Sequence, residues 1–230
     1  MPQREPSSVH ISHDDVGRAD DGDQIGDQTA DGHLLERLAG QKRRRPRLDA
    51  DGPITAVRLV KANLKDDDLK WIAAIPTMEL LDLSETPVTA AGLQHLAAAP
   101  KLEFLHLGKS KITNDKLQAV AALKGLRQLY LNDCDLAEAS LDLVAGLPKL
   151  TSLALYGSTV KDEQLECLHK FPSLQTLNLM GTGVTDKSVP HLLRTRLSGL
   201  QIQATKISQE GVARLRVGLP KCPGNSIVNN

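Results

Sequence analysis

A 24-residue apolar skeleton recurs along the chain and constrains its fold more than any other feature. The stretch from Leu174 to Arg196 shows it most clearly. Leu174, Leu177 and Leu179 have the LxxLxL spacing of a short strand with one buried face. Side chains suited to capping a helix follow, and then apolar residues at helical spacing. Each unit therefore predicts one strand, one helical segment and a return.

The skeleton repeats in register over about three quarters of the chain. Moving the template in steps of 24 residues aligns six units, and a seventh begins one residue early. The units start at Ile54, Met78, Leu102, Leu126, Leu150, Leu174 and Leu197. A fixed period of this length combined with LxxLxL is typical of leucine-rich repeats. The chain is therefore predicted to be an α/β leucine-rich-repeat solenoid of about seven repeats.

Charge and cysteine content exclude several other classes of protein. The formal net charge is zero and the pI is about 7.1, which disfavours a generally basic, nucleic-acid-binding protein. Three widely spaced cysteines do not suggest a disulfide framework. No apolar run is long enough for a signal-peptide core or a membrane span. The sequence therefore predicts a cytoplasmic location without a membrane partner.

The chain is predicted to have four segments. Residues 1–32 carry few large apolar side chains and are expected to be a disordered tail. Residues 33–53 are expected to form an N-terminal cap, a short helix ending at Gly40 followed by an edge strand that includes the basic run 42–47. Residues 54–222 are the repeats, and residues 223–230 are a C-terminal tail. An alternative interpretation of the basic run is a site for nucleic acid or an acidic surface.

Polar residues inside the repeats have structural interpretations. The ninth position of every unit is small, and all but the first of these residues can form a hydrogen bond: Ala62, Thr86, Ser110, Cys134, Ser158, Thr182 and Thr205. They are predicted to satisfy backbone groups where the chain leaves its strand. The acidic run Asp66 to Asp68 is predicted to begin the first repeat's helix, because the helix dipole favours carboxylates there.

The repeats also resemble a known family. The units LQTLNLMGTGVTDKSV, MELLDLSETPVTAAGL and LEFLHLGKSKITNDKL are similar to short bacterial leucine-rich repeats with a VTDxGL signature. Those repeats are related to the cysteine-containing repeats of F-box adaptors and, more distantly, to ribonuclease inhibitors. The resemblance covers about residues 34–222. It implies a partial horseshoe with a parallel sheet on the concave face and helices on the convex face, and a role in binding other proteins. Residues 1–53 contain no F-box, so a role as a substrate-recognition subunit of a ubiquitin-ligase-like complex rests on family analogy alone.

The strand pattern predicts where a partner would bind. Residues that alternate with the buried leucines should point to the concave surface, and three of the five aromatics lie there, in consecutive units. An exposed aromatic cluster marks a partner site, although cross-strand stacking would also explain it. The predicted partner-binding residues are Leu80, Asp82, Phe104, His106, Gln128, Tyr130, Asn132, Tyr156, Asn178 and Met180.

Catalytic chemistry is not indicated by the repeats. They contain no phosphate-binding loop and no zinc-ligand spacing. Asp82 and His106, at equivalent strand positions, come nearest to an acid–base couple, but no nucleophile accompanies them. The sequence therefore predicts a non-enzymatic, monomeric module for a protein partner, with no catalytic residue, metal site or cofactor.

Overall fold

The computed structural model describes residues 53–222 in full, together with the main chain of two strands, Ser7–His10 (β1) and Arg47–Leu48 (β2). The chain divides into two compact units, Met1–Leu102 (unit 1) and Glu103–Asn230 (unit 2). Each unit contains repeats of one strand followed by a helical segment, as the sequence predicts.

Unit 1 contains the first two repeats and the two strands that precede them. Its repeat strands are β3 (Ile54–Arg58) and β4 (Leu80–Asp82), which pair in parallel. Its helical segments are α1 (Asp68–Ala73), α2 (Ala90–His95) and the 3₁₀ helix η1 (Leu96–Ala98). The strand order is β2-β1-β3-β4, with β1 parallel to β3 and antiparallel to β2.

Strand β1 lies within residues 1–32, the segment that the sequence predicts to be a disordered tail. It pairs in parallel with β3. The physical reason is that β3 would otherwise leave a row of main-chain groups unpaired, and main-chain pairing requires no large apolar side chains. Strand β2, Arg47–Leu48, shares Arg47 with the predicted edge strand and pairs with β1. The rest of the predicted tail and cap, and residues 223–230, lie outside the described residues.

Unit 2 contains the other five repeats. Its strands pair in parallel and in chain order: β5 (Phe104–His106), β6 (Gln128–Tyr130), β7 (Ser152–Ala154), β8 (Thr176–Asn178) and β9 (Gly199–Gln201). Its α-helices are α3 (Asn114–Ala121), α4 (Val189–Leu193) and α5 (Gln209–Gly218). Its 3₁₀ helices are η2 (Leu141–Val144), η3 (Asp162–Lys170) and η4 (Asp186–Ser188).

The core of unit 2 is formed by the central leucine of every strand. Leu105, Leu129, Leu153, Leu177 and Leu200 are each at most 1% exposed and lie opposite one another in the sheet register. Burying one such side chain contributes about 1.5 to 3 kcal/mol relative to leaving it in water. The LxxLxL pattern therefore sets both the strand positions and the buried side of the sheet.

The structure confirms the hydrogen bonds predicted for the small polar residues at the ninth position of the repeats, which we call the polar ladder. In the units with a hydroxyl at the ninth position, that hydroxyl donates to the carbonyl three residues earlier, over 2.6 to 2.7 Å: Thr86, Ser110, Ser158, Thr182 and Thr205. Cys134 instead donates to the Leu107 carbonyl of the preceding repeat, at 3.1 Å. These bonds satisfy carbonyls that the turn leaves without a strand partner.

Some carboxylates near the helix starts form hydrogen bonds to the next repeat instead of capping their own helix. Asp66 does not cap its own helix: its carboxylate accepts from the main-chain N–H and the hydroxyl of Thr89 in the next repeat, at 2.8 and 2.5 Å. Asp162 bonds Thr185 in the same way, and Asp186 accepts from the Ser208 N–H. Carboxylates on the helix side therefore fasten consecutive repeats together.

A left-handed backbone residue precedes the polar ladder in every repeat. The seven residues have φ between 53° and 71°: Lys61, Glu85, Lys109, Asp133, Gly157, Gly181 and Ala204. Only two are glycine, the residue that adopts this conformation without steric cost. The other five retain a local strain imposed by the repeat geometry.

Replacing Ala204 by glycine is expected to raise the free energy of unfolding by about 0.5 to 1 kcal/mol, because it removes a Cβ from left-handed backbone. Gly181→Ala is the reverse change. An added Cβ there would meet no atom closer than 3.7 Å, so its expected loss of about 1 kcal/mol comes from φ alone. Denaturant unfolding of both variants measures the effects, and a shift in the same direction would contradict the interpretation.

None of the helices in the described part of the chain has the length and apolar character needed to cross a bilayer.

Candidate functional site: the outer face of unit 2

The side of the unit 2 sheet opposite the buried leucines carries no charged side chain. We call this surface the outer face; it consists of three positions on or just after each of the five strands. Its residues are Phe104, His106, Gly108, Gln128, Tyr130, Asn132, Ser152, Ala154, Tyr156, Thr176, Asn178, Met180, Gly199, Gln201 and Gln203. All are exposed or half-buried except Gly108 and Ala154. Because charged residues make up 24% of the chain, several would be expected among these positions.

Two aromatic rings form a platform at the β5–β6 end of the outer face. The rings of His106 and Tyr130 stack with centroids 3.9 Å apart and planes inclined by 17°. The Tyr130 hydroxyl donates to the side-chain oxygen of Gln128, and burial raises the pKa of this hydroxyl. These contacts hold the Tyr130 ring in one orientation.

Tyr156 is the most accessible aromatic ring of the outer face. It is 41% exposed, whereas Phe104 and Tyr130 are half-buried. Its main-chain N–H donates to Asn132 Oδ1 at 3.2 Å, and the Met180 N–H donates to Asn178 Oδ1 at 2.9 Å. Asn132, just after β6, and Asn178, at the end of β8, therefore belong to the repeats before and after that of Tyr156, and their amide oxygens are already bonded.

Unit 1 holds the other two predicted binding residues. Leu80 and Asp82 are half-buried on β4, and Asp82 Oδ1 accepts from the Ser84 N–H at 2.9 Å. Arg58 and Asp82 make the unit 1 strands charged at positions equivalent to the charge-free rows of unit 2. The structure thus brings eight of the ten predicted residues onto the outer face and places two in the other unit.

The cysteine thiols do not supply a nucleophile. Cys134, Cys167 and Cys222 are free and buried, and burial raises the pKa of each. The pKa of Cys167 is raised to about 11, first by burial and then by the nearby Asp142 carboxylate. Because the thiolate is the reactive form, a thiol with this pKa is inert at neutral pH.

A groove of about 310 Å³ lies on the helix side of unit 2, between η2 and η3. The Lys170 ammonium and the Asp142 carboxylate, which both line it, form a 2.7 Å ion pair that raises the pKa of Lys170. Among the described residues, no cluster of three or more His, Cys, Asp or Glu side chains could hold a metal ion. The groove therefore presents an ion pair and a thiol that is inert at neutral pH.

Comparison with known proteins supports the fold. No protein-family model and no curated protein matches the chain. Among solved structures, it is similar to an internalin C2 from Listeria monocytogenes, with 18% identity and a TM-score of 0.50 over 77% of this chain and 70% of that one. It is similar also to an internalin (inlF) from the same organism, with 17% identity and a TM-score of 0.50. That match covers 74% of this chain and about half of the internalin, 53%. The repeat register and these likenesses identify the chain as an α/β leucine-rich-repeat solenoid.

Proposed function

We propose that the chain is a non-enzymatic interaction module that binds a protein partner through the outer face of unit 2. The charge-free, aromatic-bearing composition of this face carries the proposal. The cores of protein interfaces are depleted of charged residues and enriched in tyrosine, phenylalanine and methionine. Phe104, Tyr130, Tyr156 and Met180 provide those anchors, and the asparagine and glutamine side chains provide uncharged hydrogen bonds.

The same composition argues against a polyanionic ligand on this face. Phosphate backbones are bound by lysine and arginine, and the outer face has neither. We propose further that the repeats are of the short VTDxGL type and that the chain is a monomer in the cytoplasm. The three free thiols support that location, because a reducing compartment maintains cysteines in this form.

Affinity capture from the native organism tests the proposal. The full chain and its Tyr156→Ala variant are immobilised, and the retained proteins are identified by mass spectrometry. Removing the 41% exposed ring is expected to weaken the partner's binding about tenfold or more, because exposed aromatic anchors dominate interface energies. The captured complex should also resist added salt. Equal retention by both baits, or retention of nucleic acid that salt releases, would contradict the proposal.

A further inference from the structure

We propose that the outer face of unit 2 recognises the main-chain carbonyl groups of an uncharged, extended peptide segment, through the side-chain amides of Asn132 and Asn178 on either side of Tyr156. This inference rests on the proposed function and specifies the chemistry of the partner. Hydrogen bonds within unit 2 determine which atoms of the two amides remain for a ligand.

Both amide groups have a determined orientation. A main-chain N–H can only donate, so the atom of Asn132 that faces the Tyr156 N–H must be the amide oxygen. The same holds for Asn178 and the Met180 N–H. The oxygens are therefore occupied, while each amide nitrogen keeps two N–H donors with no acceptor in the described part of the chain. The face around Tyr156 therefore presents hydrogen-bond donors that a ligand with acceptor groups can satisfy.

A peptide main chain matches this donor pattern. Each residue of an extended segment presents a carbonyl acceptor and, except at proline, an N–H donor. The carbonyls suit the Asn132 and Asn178 amides. The Tyr156 ring, exposed between the two asparagines, can pack against a side chain of the segment.

The charge-free face also excludes charged segments. A carboxylate or ammonium group placed on it would lose solvation without gaining an ion-pair partner. Carbonyl groups are the strongest uncharged acceptors that a polypeptide offers at every residue. The partner segment is therefore a polypeptide stretch without Asp, Glu, Lys or Arg at the contact.

Asparagine-to-aspartate substitutions isolate the amide donors. Asp82 occupies the position equivalent to Asn178 and makes the same bond to the N–H two residues later, at 2.9 Å, so the repeat accepts aspartate here. Asn178→Asp therefore retains its internal hydrogen bond. Asn132→Asp retains its own bond for a different reason: the Tyr156 N–H is a donor, and a carboxylate oxygen accepts from it as the amide oxygen does. Both changes remove the external N–H donors and place an acceptor against the partner's carbonyls. Thermal unfolding of both variants is expected to match the parent chain.

The probe is a displayed library of short random peptides, selected on the full chain. Enriched peptides are expected to lack charge over the contact. Each aspartate variant is expected to bind them at least about tenfold more weakly, because two acceptors would then face each other without a donor between them. Asn114→Asp is the matched control: Asn114 Oδ1 accepts from the Ser140 N–H on the helix side, so the same charge is added away from the outer face. Affinity in that variant is expected to be unchanged.

The outcomes separate the two proposals. If Tyr156→Ala weakens partner binding but both aspartate variants bind normally, the inference is wrong and the proposed function stands. The inference is likewise overturned if the enriched peptides are charged at the contact, if only a folded partner binds, or if a glycan array shows that neutral glycans bind in place of peptides. If neither peptide nor captured partner responds to Tyr156→Ala, both proposals fail.

Discussion

Replacing Phe104 and Tyr130 together by alanine is expected to weaken partner binding by about 2 kcal/mol or more, while the chain still unfolds cooperatively. Both rings lie on the outer face of unit 2, in the paired strands β5 and β6. The Tyr130 ring is held by its stack on His106, so little conformational entropy is lost when a partner packs on it. Neither ring belongs to the row of buried leucines, and removing them leaves that core in place.

Calorimetric titration with the captured partner measures this effect, and circular dichroism follows the unfolding. Trp71→Ala is the matched control, because Trp71 is 47% exposed on helix α1 of unit 1 and the change removes an aromatic ring that is not part of the outer face. Its affinity should equal that of the parent chain. If the double variant loses only thermal stability, the cluster is structural, since cross-strand aromatic pairs contribute about 0.2 to 1 kcal/mol. The partner surface would then lie on the helices or the loop edge.

Local patterns account for the parts of the fold that could be predicted. A leucine at the centre of each strand is buried because alternate strand residues face opposite sides of the sheet, so the spacing alone identifies strand and core. The polar ladder follows from the same register, since each hydroxyl bonds a carbonyl three residues away. The 3₁₀ helices η2 and η3 lie in the two units that read DLAEAS and TVKDEQ in place of the signature, but η4 begins the helical segment of a unit that keeps VTDKSV, so the signature alone does not decide the helix type.

Features that depend on main-chain geometry could not be predicted. Strand β1 pairs with β3 through main-chain bonds, which almost any sequence can form, so Ser7–His10 carries no apolar pattern to indicate it. The sequence also does not predict the left-handed backbone positions, because five of the seven hold a residue other than glycine. Asp66 resembles an ordinary helix start in the sequence, and its bond to Thr89 becomes evident only when repeats stack.

The sequence predicts the positions of the candidate site but not its detailed chemistry. The alternation of strand residues predicts which positions share the outer face, but the absence of charge becomes informative only when the two units are considered separately. Arg58 and Asp82 occupy that side in unit 1 and obscure the pattern when all repeats are pooled. The orientation of the Asn132 and Asn178 amides depends on individual hydrogen bonds, which spacing does not predict.

The glycine of the VTDxGL signature leaves space for a carboxylate, and this role predicts whether replacing it by alanine raises or lowers the free energy of unfolding. Gly211 lies in the first turn of α5, and an added Cβ would fall within contact distance of Asp186 Oδ1 and 2.8 Å from Ile207 Cγ2. Asp186 Oδ1 accepts from the Ser208 N–H at 2.8 Å, and bonds to Ser208 lower the pKa of this carboxyl. Gly92 has the same relation to Asp66 in unit 1. The glycine therefore leaves room for the carboxylate that fastens one repeat to the next.

Gly211→Ala is accordingly expected to lower the free energy of unfolding by about 1 to 3 kcal/mol, the cost of overpacking. With neither the carboxylate nor the Ile207 contact the sign would reverse, because alanine is favoured over glycine inside a helix by about 1 kcal/mol. Gly146→Ala is the control: its Cβ would meet no atom within 4 Å, so no loss is expected. Urea unfolding of both variants gives the comparison, and a stabilised Gly211→Ala chain would contradict the role assigned to Asp186.

The Asp186→Ala background tests whether the two residues act together. Gly211→Ala should cost less there, because the displaced carboxylate is absent and only the Ile207 methyl group remains in the way. Acid provides a second check. Since the folded-state pKa of Asp186 is lowered, its contribution to stability is complete above the usual aspartate range and is lost as the pH falls through the lowered pKa. The difference in stability between the parent chain and Asp186→Ala should therefore shrink over that acidic window, and a difference independent of pH would show that the Ser208 bond does not depend on the ionised carboxylate.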